Sequence, residues 1–157
     1  MAIIYSEEEI ELLLQEQKFL PTDWRKRIAL KSKRGHDEQH LDFTGNAEGK
    51  FRIIFRKSHI NSLDFSIILA TRIPQSNQFF RLLRYNGKSH EHTNHIEGVT
   101  FYDFHIHFAT ERYQRIGSRE DGYTEQTDRY SDLYGALNCL IKDANIEVPP
   151  EPQSTLF

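Results

Sequence analysis

Cysteine is almost absent from this chain, in which Cys139 is the only one among 157 residues. A single thiol excludes an intramolecular disulfide framework and any zinc site built from several cysteines. Long apolar runs are also missing, since no stretch approaches the roughly 20 residues that a membrane-spanning helix needs. The first residues, MAIIYSEEEIE, turn acidic at once and lack the basic start of a secretory signal. We therefore expect a cytoplasmic protein with no membrane partner.

Several catalytic motifs are missing as well. The sequence contains no nucleophile elbow of the serine hydrolases, no phosphate-binding P-loop and no dinucleotide-binding glycine fingerprint. The net charge of −3 gives no overall field that would attract nucleic acid. Any chemistry must therefore be sought in a local cluster of side chains.

The length of the chain fits one domain, since domains usually have roughly 100–200 residues. The hydrophobic fraction of 38% is too high for a disordered protein and sufficient for a core. We predict a single α+β domain over residues 1–146, followed by a flexible, proline-rich tail at residues 147–157.

Helical patterns begin and end this domain, and strand patterns fill its middle. Ser6 and Glu9 form a capping box in front of an amphipathic helix, and YSDLYGALNCLIKDANI has helical spacing with Ser131 as the predicted N-cap. The segments between them are rich in Phe, Ile and Leu and are bounded by Gly, Asn or Pro, as strands are. Because the links are short, we predict an antiparallel sheet of about five or six strands, with the N-terminal and C-terminal helices packed on one face.

Five of the eight histidines are concentrated in one short region. His90, His92 and His95 fall in the loop-like sequence SHEHTNHIE, whereas the other two fall in the strand-like sequence FYDFHIHF. Strand side chains alternate between faces, and the polar face of this strand therefore carries Asp103, His105 and His107. The opposite face is apolar and is predicted to meet the core with Tyr102, Phe104, Ile106 and Phe108.

Arginines recur on the neighbouring strands. Arg52 and Arg56 share one face of KFRIIFRK, and Arg84 lies in QFFRLLRYN. If some of these arginines line the face that carries the histidines, the sheet presents a basic floor that binds anions. The alternative is a solvated strand face with alternating charges.

Three interpretations of the histidines stay open at the level of sequence. Neutral imidazoles at His-x-His spacing can share one divalent metal, although a cupin-like match at His90, His92 and Glu97 lacks the glycines and the second motif of that fold. A pair of histidines near neutral pKa can instead divide proton transfer on a phosphodiester, with an arginine stabilising the charge on phosphorus. The third interpretation is structural, with the histidines hydrogen-bonding a loop to the sheet.

The segment ATERYQRIGSREDGYTEQTDRY follows the histidine strand and is predicted to be a loop of about twenty residues, a length typical of functional or disordered loops. It places Glu111, Arg112 and Tyr113 just after the histidine strand. The tyrosines at positions 113, 123 and 130 either stack on bases or pack beneath the loop.

The blocks FRLLRYNGKSHEHTNHIEG, FHIHFATERYQ, EDGYTEQTDRY and LYGALNCLIKDANI together resemble an uncharacterised family of small prokaryotic proteins, over most of residues 27–146. That family is distantly similar to toxin components of toxin–antitoxin loci, which have an arginine-bearing strand, a histidine loop, a His-x-His strand and a C-terminal helix. The matching positions here are Arg84, His90, His92, His105 and His107. The resemblance implies a toxin-like or mobile-element-associated role.

The sequence therefore predicts an enzyme that acts on RNA or a nucleotide phosphodiester by histidine acid/base catalysis. His105 and His107 are the predicted catalytic pair, His90 and His92 join them from the loop, and Asp103 orients a histidine. The predicted substrate-binding residues are Arg84, Asn94, Glu111, Arg112 and Tyr113. No cofactor is expected, with a divalent metal left open, and a cognate antitoxin or other protein is the expected partner. The alternative is a non-catalytic binding protein, of a defence, anti-defence or antitoxin-like kind, whose histidine cluster binds a ligand or metal.

Overall fold

The computed structural model describes residues 3–28, 31–32 and 36–150 and has an α+β architecture. In chain order its elements are α1 (Glu7–Gln15), β1 (Lys18–Phe19), α2 (Trp24–Arg27), β2 (Lys31–Ser32), β3 (His36–Gly45), β4 (Lys50–Ser58), β5 (Phe65–Arg72), β6 (Phe79–Asn86), β7 (His92–Asn94), β8 (Val99–Phe101), β9 (His105–Phe108), α3 (Glu111–Arg115), β10 (Tyr123–Gln126), α4 (Leu133–Asp143) and β11 (Ile146–Glu147). None of the helices within these ranges is long and apolar enough to cross a membrane.

One large sheet organises the molecule, with eight strands in the order β10-β9-β6-β5-β4-β3-β1-β11 and β2 paired to β3. All neighbours are antiparallel except β1 and β11. β7 and β8 form a separate two-stranded sheet, called here the histidine hairpin. The predicted α+β class and antiparallel sheet are confirmed. The predicted strand number is too low, because strands of two to four residues are too short to show a clear alternation.

The N-terminal helix begins as the sequence indicates. The hydroxyl of Ser6 accepts a hydrogen bond from the backbone N–H of Glu9, and the carboxylate of Glu9 accepts one from the N–H of Ser6. This capping box satisfies two of the N–H groups that a helix start leaves unpaired. Ile10 is the buried residue of this helix and joins the core cluster.

The C-terminal helix packs on the strands β5 and β6. Its buried residues are Leu133, Ala136, Leu137 and Leu140, which join the same core cluster as Ile10. Its N-cap is Asp132 rather than the predicted Ser131, since the carboxylate of Asp132 accepts a hydrogen bond from the N–H of Gly135. Aspartate and serine are both good N-caps, and the local sequence does not distinguish neighbouring candidates.

A buried lysine joins the carboxyl ends of the N-terminal helix α1 and the C-terminal helix α4. The Lys18 side chain is fully buried, and its Nζ donates hydrogen bonds to the carbonyl oxygens of Leu14 (3.1 Å), Glu16 (2.8 Å) and Ala144 (2.8 Å). The last carbonyls of a helix have no partner within the helix, and a cation there also meets the negative end of the helix dipole. Lys18 therefore fixes the ends of α1 and α4 relative to the sheet.

The predicted histidine strand is shorter than its pattern suggests. β8 ends at Phe101 and β9 begins at His105, so Tyr102 and Asp103 lie in the connection, and Tyr102 is exposed rather than in the core. Within β9 the predicted alternation is confirmed, with Ile106 in the core cluster and the histidines opposite.

The long segment after β9 is not a continuous loop. It contains the short helix α3, capped by Thr110, and the strand β10, which pairs with β9. At the C-terminal end, Glu147 pairs with Phe19, and Val148 packs against the core. Residues 151–157 of the predicted flexible tail lie outside the described residues.

Candidate functional site

Three of the five clustered histidines meet on the sheet face opposite the C-terminal helix. His105 and His107 come from β9, where they are fully buried and 6% exposed, respectively. His92 comes from the histidine hairpin, and its ring lies 5.5 Å from the ring of His105 and 4.9 Å from that of His107, between centroids. Each residue offers one nitrogen such that all three nitrogens lie within 4.8 Å of one another.

Backbone carbonyls fix the orientation of the two strand histidines. Nδ1 of His105 lies 2.7 Å from the carbonyl oxygen of Asp103, and Nδ1 of His107 lies 2.7 Å from that of Asp121. A carbonyl only accepts, so each Nδ1 carries the hydrogen, and each Nε2 presents a lone pair. The predicted orienting role of Asp103 therefore falls to its backbone oxygen, because its carboxylate accepts a hydrogen bond from the N–H of Phe104.

The ring of His92, on the hairpin, carries its hydrogen on the other nitrogen. Nε2 of His92 faces two acceptors, Oδ1 of Asn94 at 3.2 Å and the carbonyl oxygen of Gly122 at 3.3 Å. Nε2 is therefore the donor, and Nδ1 presents the lone pair. The tautomer of each of the three rings is thus set by an oxygen atom behind it, as it is for histidines that bind metals.

Burial keeps these histidines neutral. Burial, opposed by the hydrogen bonds to backbone carbonyls and assisted by neighbouring imidazoles, lowers the pKa of His105 to about 4 and that of His107 to about 2. The pKa of His92 is also lowered, again chiefly by burial. At neutral pH all three rings are therefore uncharged, which is the form that binds metals.

Asn86, the last residue of β6, contacts both strand histidines. Its Nδ2 lies 3.4 Å from Nε2 of His105 and 3.3 Å from Nε2 of His107, and its Oδ1 accepts a hydrogen bond from the hydroxyl of Ser66. Asn86 was not among the predicted site residues. It could have been predicted from its position two residues after Arg84 on the same strand, since residues two apart share a face and both point to the histidine face.

Two members of the cluster, His92 and His107, line a pocket of about 390 Å³, called here the histidine pocket, whereas His105 is fully buried and does not line it. The strand register brings two of the predicted arginines to it, because Arg84 is opposite His107 and Arg56 is opposite Ser66. Both arginines line the pocket, and anion binding by them stays a prediction. Arg52 does not join, since it is paired with Asp42 further along the sheet.

The remaining loop histidines line the same pocket from its rim. His90 and His95 are exposed, and the ring of His90 lies 5.9 Å from that of His105. A larger groove of about 590 Å³ lies elsewhere, at Ile73 and Phe80, and contains none of the histidines. Convergent titratable groups, rather than volume, make the histidine pocket the better candidate for chemistry.

The other predicted substrate-binding residues have partners within the protein. Asn94 is buried and bonded to Thr124, and Tyr113 is fully buried with its hydroxyl on the carboxylate of Glu97. Arg112 also pairs with Glu97. Glu111 pairs with Arg115 on the surface, at α3. The contacts with Glu97 connect α3 to the histidine hairpin, and none of these four predicted residues lines the histidine pocket.

Arg119 and Asp121 also line the pocket, and both were missed because they come from the long segment after β9. Asp121 is fully buried, and neither of its carboxylate oxygens has a hydrogen-bond partner among the described residues. Three arginines surround it at longer range: Arg119 at 3.4 Å, Arg81 at 3.8 Å and Arg84 at 4.0 Å. Burial lowers the pKa of Arg84 to about 10, with Asp121 opposing that shift, so the guanidinium stays charged at neutral pH.

Comparison of this chain with models of known protein families, with curated proteins and with solved structures finds no significant match. The site must therefore be interpreted from its own geometry.

Proposed function

We propose that His92, His105 and His107 bind a divalent transition metal, and that the protein is a metal-dependent hydrolase whose centre lies in the histidine pocket. The observation that supports this most is the convergence of three nitrogens within 4.8 Å of one another. Zinc–nitrogen bonds of about 2.1 Å place the nitrogens of a tetrahedral site about 3.4 Å apart. The nitrogens therefore need to approach one another by up to about 1.4 Å on binding.

The orientation of the rings favours a metal over an acid/base pair. A general acid must carry a proton near pH 7, whereas burial keeps His105 and His107 neutral. Neutral imidazoles whose nitrogens lie this close together are ligands for zinc, cobalt, nickel, copper or iron. The carbonyl oxygens of Asp103 and Asp121 behind the rings supply the outer hydrogen bonds that such ligands usually have.

Three protein ligands leave one position of a tetrahedral metal open. Catalytic zinc sites have this arrangement, whereas structural sites are closed by four protein ligands. A metal with an open position lowers the pKa of a bound water towards 7 and so supplies a hydroxide for hydrolysis. The histidine pocket gives that position space for a substrate.

Metal titration of the purified full-length chain, first treated with a chelator, tests this function. Calorimetry with Zn²⁺ should give one ion per chain, and Co²⁺ should give the visible absorption of a tetrahedral site. In His92→Ala the affinity should fall about 100-fold or more, since even outer hydrogen-bond partners of metal ligands contribute 10–100-fold. Hydrolysis of a panel of chromogenic esters should then require the metal and be lost in the same variant.

His95→Ala is the matched control, because His95 lines the same pocket from an exposed position without belonging to the cluster. Its metal affinity should stay within about twofold of the unmodified protein. Equal losses in His92→Ala and His95→Ala, or binding without a defined stoichiometry, would reject the three-histidine centre.

The toxin-like role stays a prediction from the resemblance, and the RNA substrate stays a prediction from the pattern of histidines and arginines. Induced expression in a bacterial host tests the first of these. Growth arrest that is relieved by His107→Ala would support a toxic enzyme, whereas normal growth with the unmodified protein would contradict it.

A further inference from the structure

We propose that Arg84, with Arg119 and Arg56, binds the phosphoryl group of a small phosphorylated substrate in the histidine pocket. This inference rests on the proposed function, since it names the class of molecule that would meet the metal. The anion site itself is made of arginines and can be tested without the metal.

Arg84 is placed for this role by the strand register. It lies on β6 directly opposite His107, and only 14% of its side chain is exposed. Its Nε is buried without a hydrogen-bond partner among the described residues, and its nearest carboxylate oxygen, on Asp121, is 4.0 Å from Nη1. A buried guanidinium group with an unused donor is expensive unless a ligand or water accepts from it.

The charges around Arg84 do not cancel. Arg81 pairs with Glu120, whose carboxylate accepts hydrogen bonds from the backbone N–H and the guanidinium group of Arg81. The pocket is lined by three arginines and two aspartates, namely Arg56, Arg84, Arg119, Asp64 and Asp121. With neutral histidines these five residues carry one net positive charge, although Arg56 also pairs with Glu38 at 3.3 Å. A divalent metal would add two further positive charges.

A phosphoryl group fits this combination of charge and donors better than a neutral substrate does. Arginine presents a planar fork of N–H donors that matches phosphate oxygens, and charge-assisted hydrogen bonds of this kind are the strong ones. A volume of about 390 Å³ lies within the range of sites for small ligands. A metal held by His92, His105 and His107 would supply a bound water that could add to phosphorus as the P–O ester bond breaks, and the proton lost by that water would pass to the leaving ester oxygen.

Binding of inorganic phosphate and of a nucleoside monophosphate to the full chain tests the proposal. Calorimetry should be done on chelator-treated protein and on protein loaded with zinc, with acetate and chloride as competing anions. We expect both phosphates to bind in each state, with acetate at least tenfold weaker. Arg84→Gln should weaken phosphate at least tenfold without weakening zinc, and Arg119→Gln, at a half-exposed position, should weaken it severalfold.

Arg72→Gln is the matched control, since Arg72 is an exposed arginine of β5 outside the histidine pocket. It should leave phosphate affinity unchanged. Absence of phosphate binding in both states would overturn the proposal, as would equal losses in Arg72→Gln and Arg84→Gln or equal affinity for acetate. Phosphate binding that survives in His92→Ala without zinc binding would separate this site from the metal centre.

Discussion

The side chain of Asn94 makes three hydrogen bonds with Thr124. Its Oδ1 accepts from the backbone N–H (3.0 Å) and from the hydroxyl (2.8 Å) of Thr124, and its Nδ2 donates to the carbonyl oxygen of the same residue (2.7 Å). Both residues are almost fully buried. Asn94 thereby attaches the histidine hairpin to β10 at the edge of the main sheet, and it also accepts from the ring of His92.

Asn94→Ala should therefore damage both stability and metal binding. The change leaves buried polar groups of Thr124 unpaired, which should lower the free energy of unfolding by about 2–5 kcal/mol, since each such group costs about 1–3 kcal/mol. It also releases the hairpin that supplies His92, so zinc affinity should fall about tenfold or more. Urea denaturation and zinc calorimetry measure the two effects.

Thr93→Ala provides the control for this change. Thr93 is the adjacent hairpin residue, and its hydroxyl is hydrogen-bonded to that of Thr100 within the hairpin. It should change stability by less than about 1 kcal/mol, as surface substitutions usually do, and leave zinc affinity intact. A zinc affinity unaffected by Asn94→Ala would show that the hairpin does not need this attachment to deliver His92.

Replacement of Asn86 should have the opposite effect on zinc affinity from replacement of Asn94. The amide nitrogen of Asn86 lies within hydrogen-bonding distance of the Nε2 atoms of His105 and His107, which are proposed to bind the metal. Metal binding must therefore displace both hydrogen bonds from Asn86. In Asn86→Ala we expect zinc affinity to stay equal or rise up to about tenfold, since a hydrogen bond contributes about 1 kcal/mol. The free energy of unfolding without metal should fall by about 1–3 kcal/mol. A clear loss of zinc affinity in this variant would instead make Asn86 part of the centre.

Local patterns predicted the elements of this fold, whereas the site depends on register and on distant segments. Strand alternation correctly placed His105 and His107 opposite Ile106, and the capping box at Ser6 was correct. The meeting of His107 with Arg84 depends on how β9 and β6 pair, and a sequence segment alone does not fix that pairing. Asp121 lies fourteen residues beyond His107, and its carbonyl reaches the ring only because β10 returns along β9.

Asp143 should give the stability of the protein a defined dependence on acid. Its carboxylate accepts from the hydroxyl of Tyr85 and from two nitrogens of Arg129, at 2.9 and 2.8 Å. Burial alone would raise the pKa of Asp143, but the hydrogen bonds from Arg129 and Tyr85 outweigh it and hold the pKa below its usual 3.8. The unfolded chain therefore takes up this proton at higher pH than the folded chain.

The stabilisation by Asp143 is complete above pH 3.8 and is lost as the pH falls through the lower pKa of the folded state. Asp143→Asn should be less stable than the unmodified protein at pH 7, and the difference should shrink in strong acid. Urea denaturation at a series of pH values between neutral and acid tests this. Stability curves that stay parallel down to the lowest pH would mean that Asp143 does not contribute through its charge.

Lys18 should be among the residues on which the fold depends most, although no sequence pattern marks it. Its ammonium group donates hydrogen bonds to three carbonyl oxygens at the ends of α1 and α4, and it lies 4.7 Å from the ring centre of Phe51. Burial lowers its pKa to about 8, against the effect of Glu16, so it is still mostly charged at pH 7. Lys18→Met keeps the length of the side chain but removes every donor, and the free energy of unfolding should fall by about 2–4 kcal/mol because hydrogen bonds to charged groups contribute about 1.5–3 kcal/mol each. Lys26→Met, at an exposed position of α2, should change it by less than about 0.5 kcal/mol. Equal midpoints for the two variants in chemical denaturation would show that the ends of the helices are held by apolar packing alone.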